Sequence, residues 1–145
     1  MASLDLFWQT LDTPGVALYA LPIAHFLGFV PHVQKLMILR SAKDVPTLVM
    51  AEAARLEAAH ANASENFPLL LGAVGAGLYA GLDTRVVNGF AVAYLVCRVV
   101  FNIAYANQTT HAVAGIRTVA YWTGTVWAMY IMVLAGNTLA RKAAL

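Results

Sequence analysis

A run of polar side chains opens one of the apolar stretches of this chain: His60-Ala61-Asn62-Ala63-Ser64-Glu65-Asn66-Phe67-Pro68-Leu69-Leu70-Leu71. Carboxylate, amide and imidazole groups are costly in hydrocarbon unless they are paired or used, so chemistry is to be sought here. On a helix, Asn62, Glu65 and Asn66 stand three and four residues apart and share a face. A second stripe with the same spacing, Arg98, Asn102 and Tyr105, lies in the following apolar stretch, and Arg117 with Thr118 opens the last one. Two facing stripes, one with a carboxylate and one with a guanidinium, suit two tasks. Glu65 and Arg98 can form an intramembrane ion pair that fixes helix packing. Alternatively, the surplus of His60, Asn62, Tyr105 and Arg117 at the same depth can serve a bound ligand and acid–base work.

The elements that must hold these groups follow from composition. Of 145 residues, 61% are hydrophobic and 11% charged, whereas an ordinary soluble domain carries about 25% charged residues. The chain reads as an all-α integral membrane protein, a bundle of four helices in a single domain covering residues 1–145. Its four apolar blocks, about 15–39, 66–82, 86–106 and 119–136, each approach the roughly 20 residues a helix needs to cross hydrocarbon. Alternating ten-residue strands are absent, which argues against a β-barrel. The first block begins after acidic residues (Asp5, Asp12), unlike a secretory signal, and Pro22 and Pro31 predict a bend within it. Residues 41–46 read as a loop whose Asp44 can cap the next helix, and good helix formers from about residue 46 carry that helix into the second span. Asp83-Thr84 reads as a turn, and residues 107–114 as a polar loop containing His111.

Basic residues set the expected orientation. Lys35, Arg40, Lys43 and Arg55 surround the first connection, while Arg85 alone lies in the second, so the first connection is expected on the cytoplasmic side. Most of the unusual polar residues then converge on that face. Cys97 is the only cysteine, which excludes an intramolecular disulfide and a CxxC motif. His25 and His32 lie seven apart, roughly on one helix face, but no third ligand of suitable spacing makes a metal site. No basic patch or phosphate loop points to nucleic acid or nucleotides.

Three segments together carry a resemblance. Ala59-His60-Ala61-Asn62-Ala63-Ser64-Glu65-Asn66-Phe67-Pro68 resembles the signature R-A-H-x-N-x-x-E-x-x-P of the membrane-associated eicosanoid and glutathione metabolism (MAPEG) family. Arg98-Val99-Val100-Phe101-Asn102-Ile103-Ala104-Tyr105 is similar to its R-x-x-[HY]-x-x-A-Y, and Ile116-Arg117-Thr118-Val119-Ala120-Tyr121 to I-R-S-x-x-Y. Spacing within each motif and the family order are kept. Two positions depart from the pattern: Ala58 stands where many members have an arginine, and Phe101 where a histidine or tyrosine is frequent.

The resemblance implies a homotrimer of four-helix subunits in an internal membrane such as the endoplasmic reticulum, with glutathione held between subunits near the cytosolic face. Carried over by position, His60, Asn62, Glu65, Arg98, Tyr105 and, at the end of the first span, Arg40 would contact the tripeptide. Arg117 matches the arginine credited with holding the sulfur as thiolate, with Thr118 at the neighbouring serine position. A lipophilic electrophile would enter from the lipid against Tyr121, Trp122 and Trp127. The chemistry is sound in itself. A free thiol has a pKa of about 8.5 and reacts as thiolate, so a nearby guanidinium, which stays charged, raises the reactive fraction. Glutathione has two carboxylates and one ammonium, which asks for arginines with one acidic group. The expected activity is a glutathione-dependent transferase, peroxidase or isomerase. The alternatives are a glutathione-independent isomerase or cyclase using the same pocket, and a non-catalytic lipid-binding scaffold.

Overall fold

The computed structural model describes residues 2–41, 47–108 and 110–144. The expected Asp44 cap falls outside them. Within them five helices joined by short turns make up nearly all of the chain: α1 (Ala2–Asp12), α2 (Val16–Ser41), α3 (Thr47–Ala80), α4 (Thr84–Ala106) and α5 (His111–Ala143). The all-α class stands, but the expected count of four helices is corrected to five among the described residues, because a short amphipathic helix precedes the first long one.

Three helices, α2, α4 and α5, are long and apolar enough to cross a membrane. In α3 the apolar stretch forms only the C-terminal half of a 34-residue helix. At about 1.5 Å per residue that helix is roughly 50 Å long, well beyond the hydrocarbon thickness of about 30 Å. α2 packs chiefly on α3, and α4 on α5, with α3 also against α5.

Local chemistry explains the boundaries. α3 ends at Gly81, whose φ of +67° lets the Leu82 amide reach the Gly77 carbonyl (3.0 Å) and its own amide reach Leu78 (3.1 Å). Asp83 then caps α4 by accepting from the amides of Arg85 and Val86. Thr110 caps α5 through the Val113 amide, so His111 starts a helix and does not sit in the expected loop. The physical reason is that Thr110 supplies the cap and Ala112, Val113 and Ala114 accept helical geometry behind it.

The core sits toward the end of the bundle where α3 turns into α4. Leu70, Ala73, Val74, Val87, Phe90, Ala91, Tyr94, Ala128 and Ile131 bury one another. Small residues let the helices approach closely. A Cβ at Gly28 would lie 3.1 Å from that of Ala63, and one at Gly77 would lie 3.0 Å from Val87. Asn88, almost fully buried, ties the N-terminus down: its Nδ2 donates to the Leu11 and Thr13 carbonyls (2.8 Å each) and its Oδ1 accepts from the Ala17 amide (2.8 Å).

Candidate functional site

Near the other end of the bundle, α3, α4 and α5 enclose a cleft of about 260 Å³ lined by Asn62, Phe101, Tyr105, Arg117, Thr118, Tyr121 and Trp122. Helical spacing places its parts. Phe101 and Tyr105 are four apart on α4, as are Arg117 and Tyr121 on α5, so each pair stacks one turn above the other on the inner face. The rings form a continuous wall: Phe101 lies 5.3 Å from Tyr105 and 6.3 Å from Tyr121, and Tyr121 meets Trp122 edge-on at 5.5 Å.

Two guanidinium groups stand against this wall. Arg117 lies over the face of Tyr105, 4.6 Å from the ring centroid, and donates through Nη1 to the Gln108 side-chain oxygen (2.5 Å). Arg98 is only 6% exposed. Its Nη1 donates to Asn62 Oδ1 at 2.9 Å, and the rings of Tyr94, Phe101 and Tyr121 surround its charge at 5.1, 5.4 and 5.9 Å. Arg98 Nη2 is buried with no hydrogen-bond partner among the described residues. Behind it, Asn66 donates to the Asn62 carbonyl (3.0 Å) and Tyr94 donates to the Asn66 carbonyl (3.1 Å), so Asn62 is held from two sides.

Among the described residues the ion pairs are Lys35–Glu57 and Arg85–Asp12, with His32 Nδ1 3.7 Å from the Glu57 carboxylate, so neither Arg98 nor Arg117 has a carboxylate partner. The expected pairing of Glu65 with Arg98 is therefore corrected: the neutral amide of Asn62 takes that place. At about 100° per residue, Asn66 lies on one flank of Asn62 and Glu65 on the other. The Asn66 flank is buried against α4, and Glu65 turns to the exposed surface. Asn102 likewise leaves the expected stripe and donates to the Leu27 carbonyl of α2 at 2.9 Å.

Other residues singled out from the sequence lie elsewhere. His60 faces α2, with Nδ1 2.8 Å from the Gly28 carbonyl and its ring 5.0 Å from that of His32 and 5.2 Å from Phe29. It lines a smaller cavity of about 120 Å³ together with His25, Phe29, Ser64 and Phe67. No group of three or more His, Cys, Asp or Glu among the described residues is arranged to hold a metal ion. Arg40 is exposed in the last turn of α2, and Trp127 packs edge-on against Phe90 at 6.3 Å, below the cleft. Thr118 reaches the cleft, but its hydroxyl donates to the Ala114 carbonyl (3.0 Å), which leaves only its lone pairs for a ligand. Gln108, which holds Arg117, carries no signal in the sequence beyond being a polar loop residue.

The cleft thus gathers one cation, Arg117, aromatic faces and an amide, with the charge of Arg98 buried behind its wall, a set that attracts an anion with an apolar portion. The MAPEG family model matches residues 13–137, which is most of the chain. No curated protein and no solved structure matches it. With that match and three apolar helices of membrane-spanning length, this chain belongs to the MAPEG family of membrane proteins, which includes glutathione transferases and related enzymes.

Proposed function

We propose that the cleft binds glutathione and that the protein is a transferase, peroxidase or isomerase acting on a lipophilic electrophile. The observation that carries this reading is the Arg117 guanidinium in the cleft lining, with no carboxylate partner among the described residues, backed by a second such guanidinium, Arg98, buried behind the Phe101 and Tyr121 rings of the wall. The charge of Arg98, whose Nη2 is buried without a partner among the described residues, adds to the positive field that a glutathione carboxylate would meet in the cleft.

Glutathione would supply the nucleophilic sulfur. Arg117, lying at the open side of the wall, stabilises negative charge on that sulfur and so favours loss of the thiol proton to water. Tyr105 orients Arg117 from below through its ring face. Thr118 offers a hydroxyl acceptor, suited to the tripeptide's ammonium or to one of its amide N–H groups. Tyr121 and Trp122 provide an apolar edge for the electrophile, with Trp122 more than half exposed toward the surroundings of the bundle. In conjugation the sulfur–carbon bond forms as the electrophile's leaving group departs or its double bond accepts the electron pair.

A homotrimer would complete the site. The cleft is open on one side, and Glu65 and Arg40, which do not line it, are exposed on other faces of the subunit, where they can serve a neighbour's cleft. The excess of Lys and Arg around the first connection supports a cytosolic location for this end, in an internal membrane such as the endoplasmic reticulum.

The purified protein should conjugate a generic electrophile such as a chlorodinitrobenzene, and glutathione should raise its melting temperature in a concentration-dependent way. Absence of both effects would end the glutathione reading. A second reading, a lipid-binding scaffold, is favoured by an apolar groove of about 360 Å³ on the opposite side of α5, lined by Val96, Cys97, Val100, Ile116, Val119, Ala120 and Thr123. It predicts stabilisation by fatty acyl lipids with no dependence on Arg117.

A further inference from the structure

The N-terminal helix is amphipathic, and its apolar stripe is covered at one end only. Leu4, Phe7, Trp8 and Leu11 follow the i, i+3, i+4, i+7 spacing that puts them on one helix face. Leu11 is 5% exposed against the bundle, whereas Leu4, Phe7 and Trp8 are 62%, 44% and 50% exposed. Asp5, Gln9 and Asp12 share the other side, and only Leu6 breaks the pattern.

The position of this helix relative to a membrane is dictated by what holds it. Asn88 binds the Leu11 and Thr13 carbonyls, and Arg85 pairs with Asp12 while lying 5.8 Å from the Trp8 ring centroid. Arg85 and Asn88 stand in the first turns of α4, and Gly15, with φ +84°, turns the chain directly into α2. Both helices are long and apolar enough to span, so α1 is pinned where they leave the hydrocarbon. The same end of the bundle carries exposed Tyr19 and Tyr79, and Lys142, which donates to the Ala80 carbonyl. Exposed aromatics flanked by basic residues are the pattern of a membrane–water boundary.

We propose that α1 lies flat in the lipid headgroup layer at the end of the bundle opposite the cleft, with Leu4, Phe7 and Trp8 among the upper acyl chains and Asp5 and Gln9 toward water. The surface it fits is a neutral one. α1 contains no Lys or Arg, and its polar face carries Asp5 and an Asp12 already satisfied by Arg85, so the helix itself adds no attraction for anionic lipid. Through the Asn88 and Arg85 clamps the helix fixes the depth at which α4 enters the bilayer.

The test uses the full chain with Cys97→Ala, carrying a nitroxide at Leu4→Cys, Phe7→Cys or Gln9→Cys in turn, in vesicles of phosphatidylcholine with and without anionic lipid. Labels at Leu4 and Phe7 should be reached by oxygen in preference to a water-soluble nickel chelate, the Gln9 label should show the reverse, and anionic lipid should not sharpen the contrast. Equal access of the chelate to all three sites would overturn the proposal by placing α1 in water. Exclusion of both reagents with spin–spin broadening would overturn it in favour of a second copy covering the stripe. As a measurement free of labels, Trp8 fluorescence in a Trp122→Phe/Trp127→Phe background should be quenched by lipids brominated near the headgroup, and an unquenched Trp8 would contradict it.

Discussion

Arg98 donates a 2.9 Å hydrogen bond to the side-chain oxygen of Asn62, and this neutral amide stands where a carboxylate would cancel the arginine's charge. The consequence is a buried guanidinium whose field remains available to a ligand. Removing the amide in Asn62→Ala leaves Arg98 without that partner and should cost about 2–3 kcal/mol of stability, read from thermal unfolding in detergent. Asn62→Asp should keep the fold, because an acceptor remains, yet weaken glutathione binding at least tenfold by neutralising Arg98. Unchanged affinity in Asn62→Asp would mean that the field of Arg98 does not reach the anion.

Gln108 offers a second control on charge. It accepts from Arg117 and occupies one of its nitrogen donors. Gln108→Glu places a carboxylate on Arg117 and should compete with an anionic ligand, raising KM for glutathione about tenfold, whereas Gln108→Ala frees a donor and should leave KM within about threefold of wild type. The two variants are to be compared in one conjugation assay, and equal KM values in both would contradict the assignment.

Asn88 carries the N-terminal clamp with three hydrogen bonds to buried backbone. Asn88→Ala leaves those groups unpaired and should destabilise the protein by about 3 kcal/mol, while limited proteolysis should release α1 first. Conjugation by the surviving folded fraction should persist, since the clamp lies far from the cleft.

The Asp12–Arg85 pair predicts an acid-side dependence. Its hydrogen bond from Arg85 holds the Asp12 carboxyl below the ordinary value of 3.8. A lowered folded-state value means that the contribution is present above pH 3.8 and is lost as pH falls through the folded value. The difference in melting temperature between wild type and Asp12→Asn should therefore be constant near neutrality and vanish in acid. Both groups are exposed, so it should be small and shrink with added salt.

Much of the architecture is legible in the sequence because hydropathy speaks over twenty residues at a time. The all-helical membrane class follows from composition, and Asn62, Tyr105, Arg117 and Thr118 can be singled out by type and spacing before their meeting at one cleft is seen. Rotation is harder to read. Glu65 and Asn66 are neighbours, and only the packing of α3 on α4 decides that Asn66 is buried and Glu65 exposed. α1 escapes notice because eleven residues are too few to span and Pro14-Gly15 closes the helix before its stripe can merge with the next. His60 turns away because residues two apart on a helix face nearly opposite directions, so it shares α3 with Asn62 but not its cleft. The hold of Gln108 on Arg117 depends on loop geometry, which periodicity does not encode.

The most direct test of the role of Arg117 is the ultraviolet absorbance of glutathione thiolate on the protein as a function of pH. Wild type should show bound thiol ionising below the free value of about 8.5, and Arg117→Ala should shift that ionisation back up and lose about a hundredfold in turnover, with affinity weakened by about tenfold at most. Thiolate formation at the same pH in both proteins would contradict it.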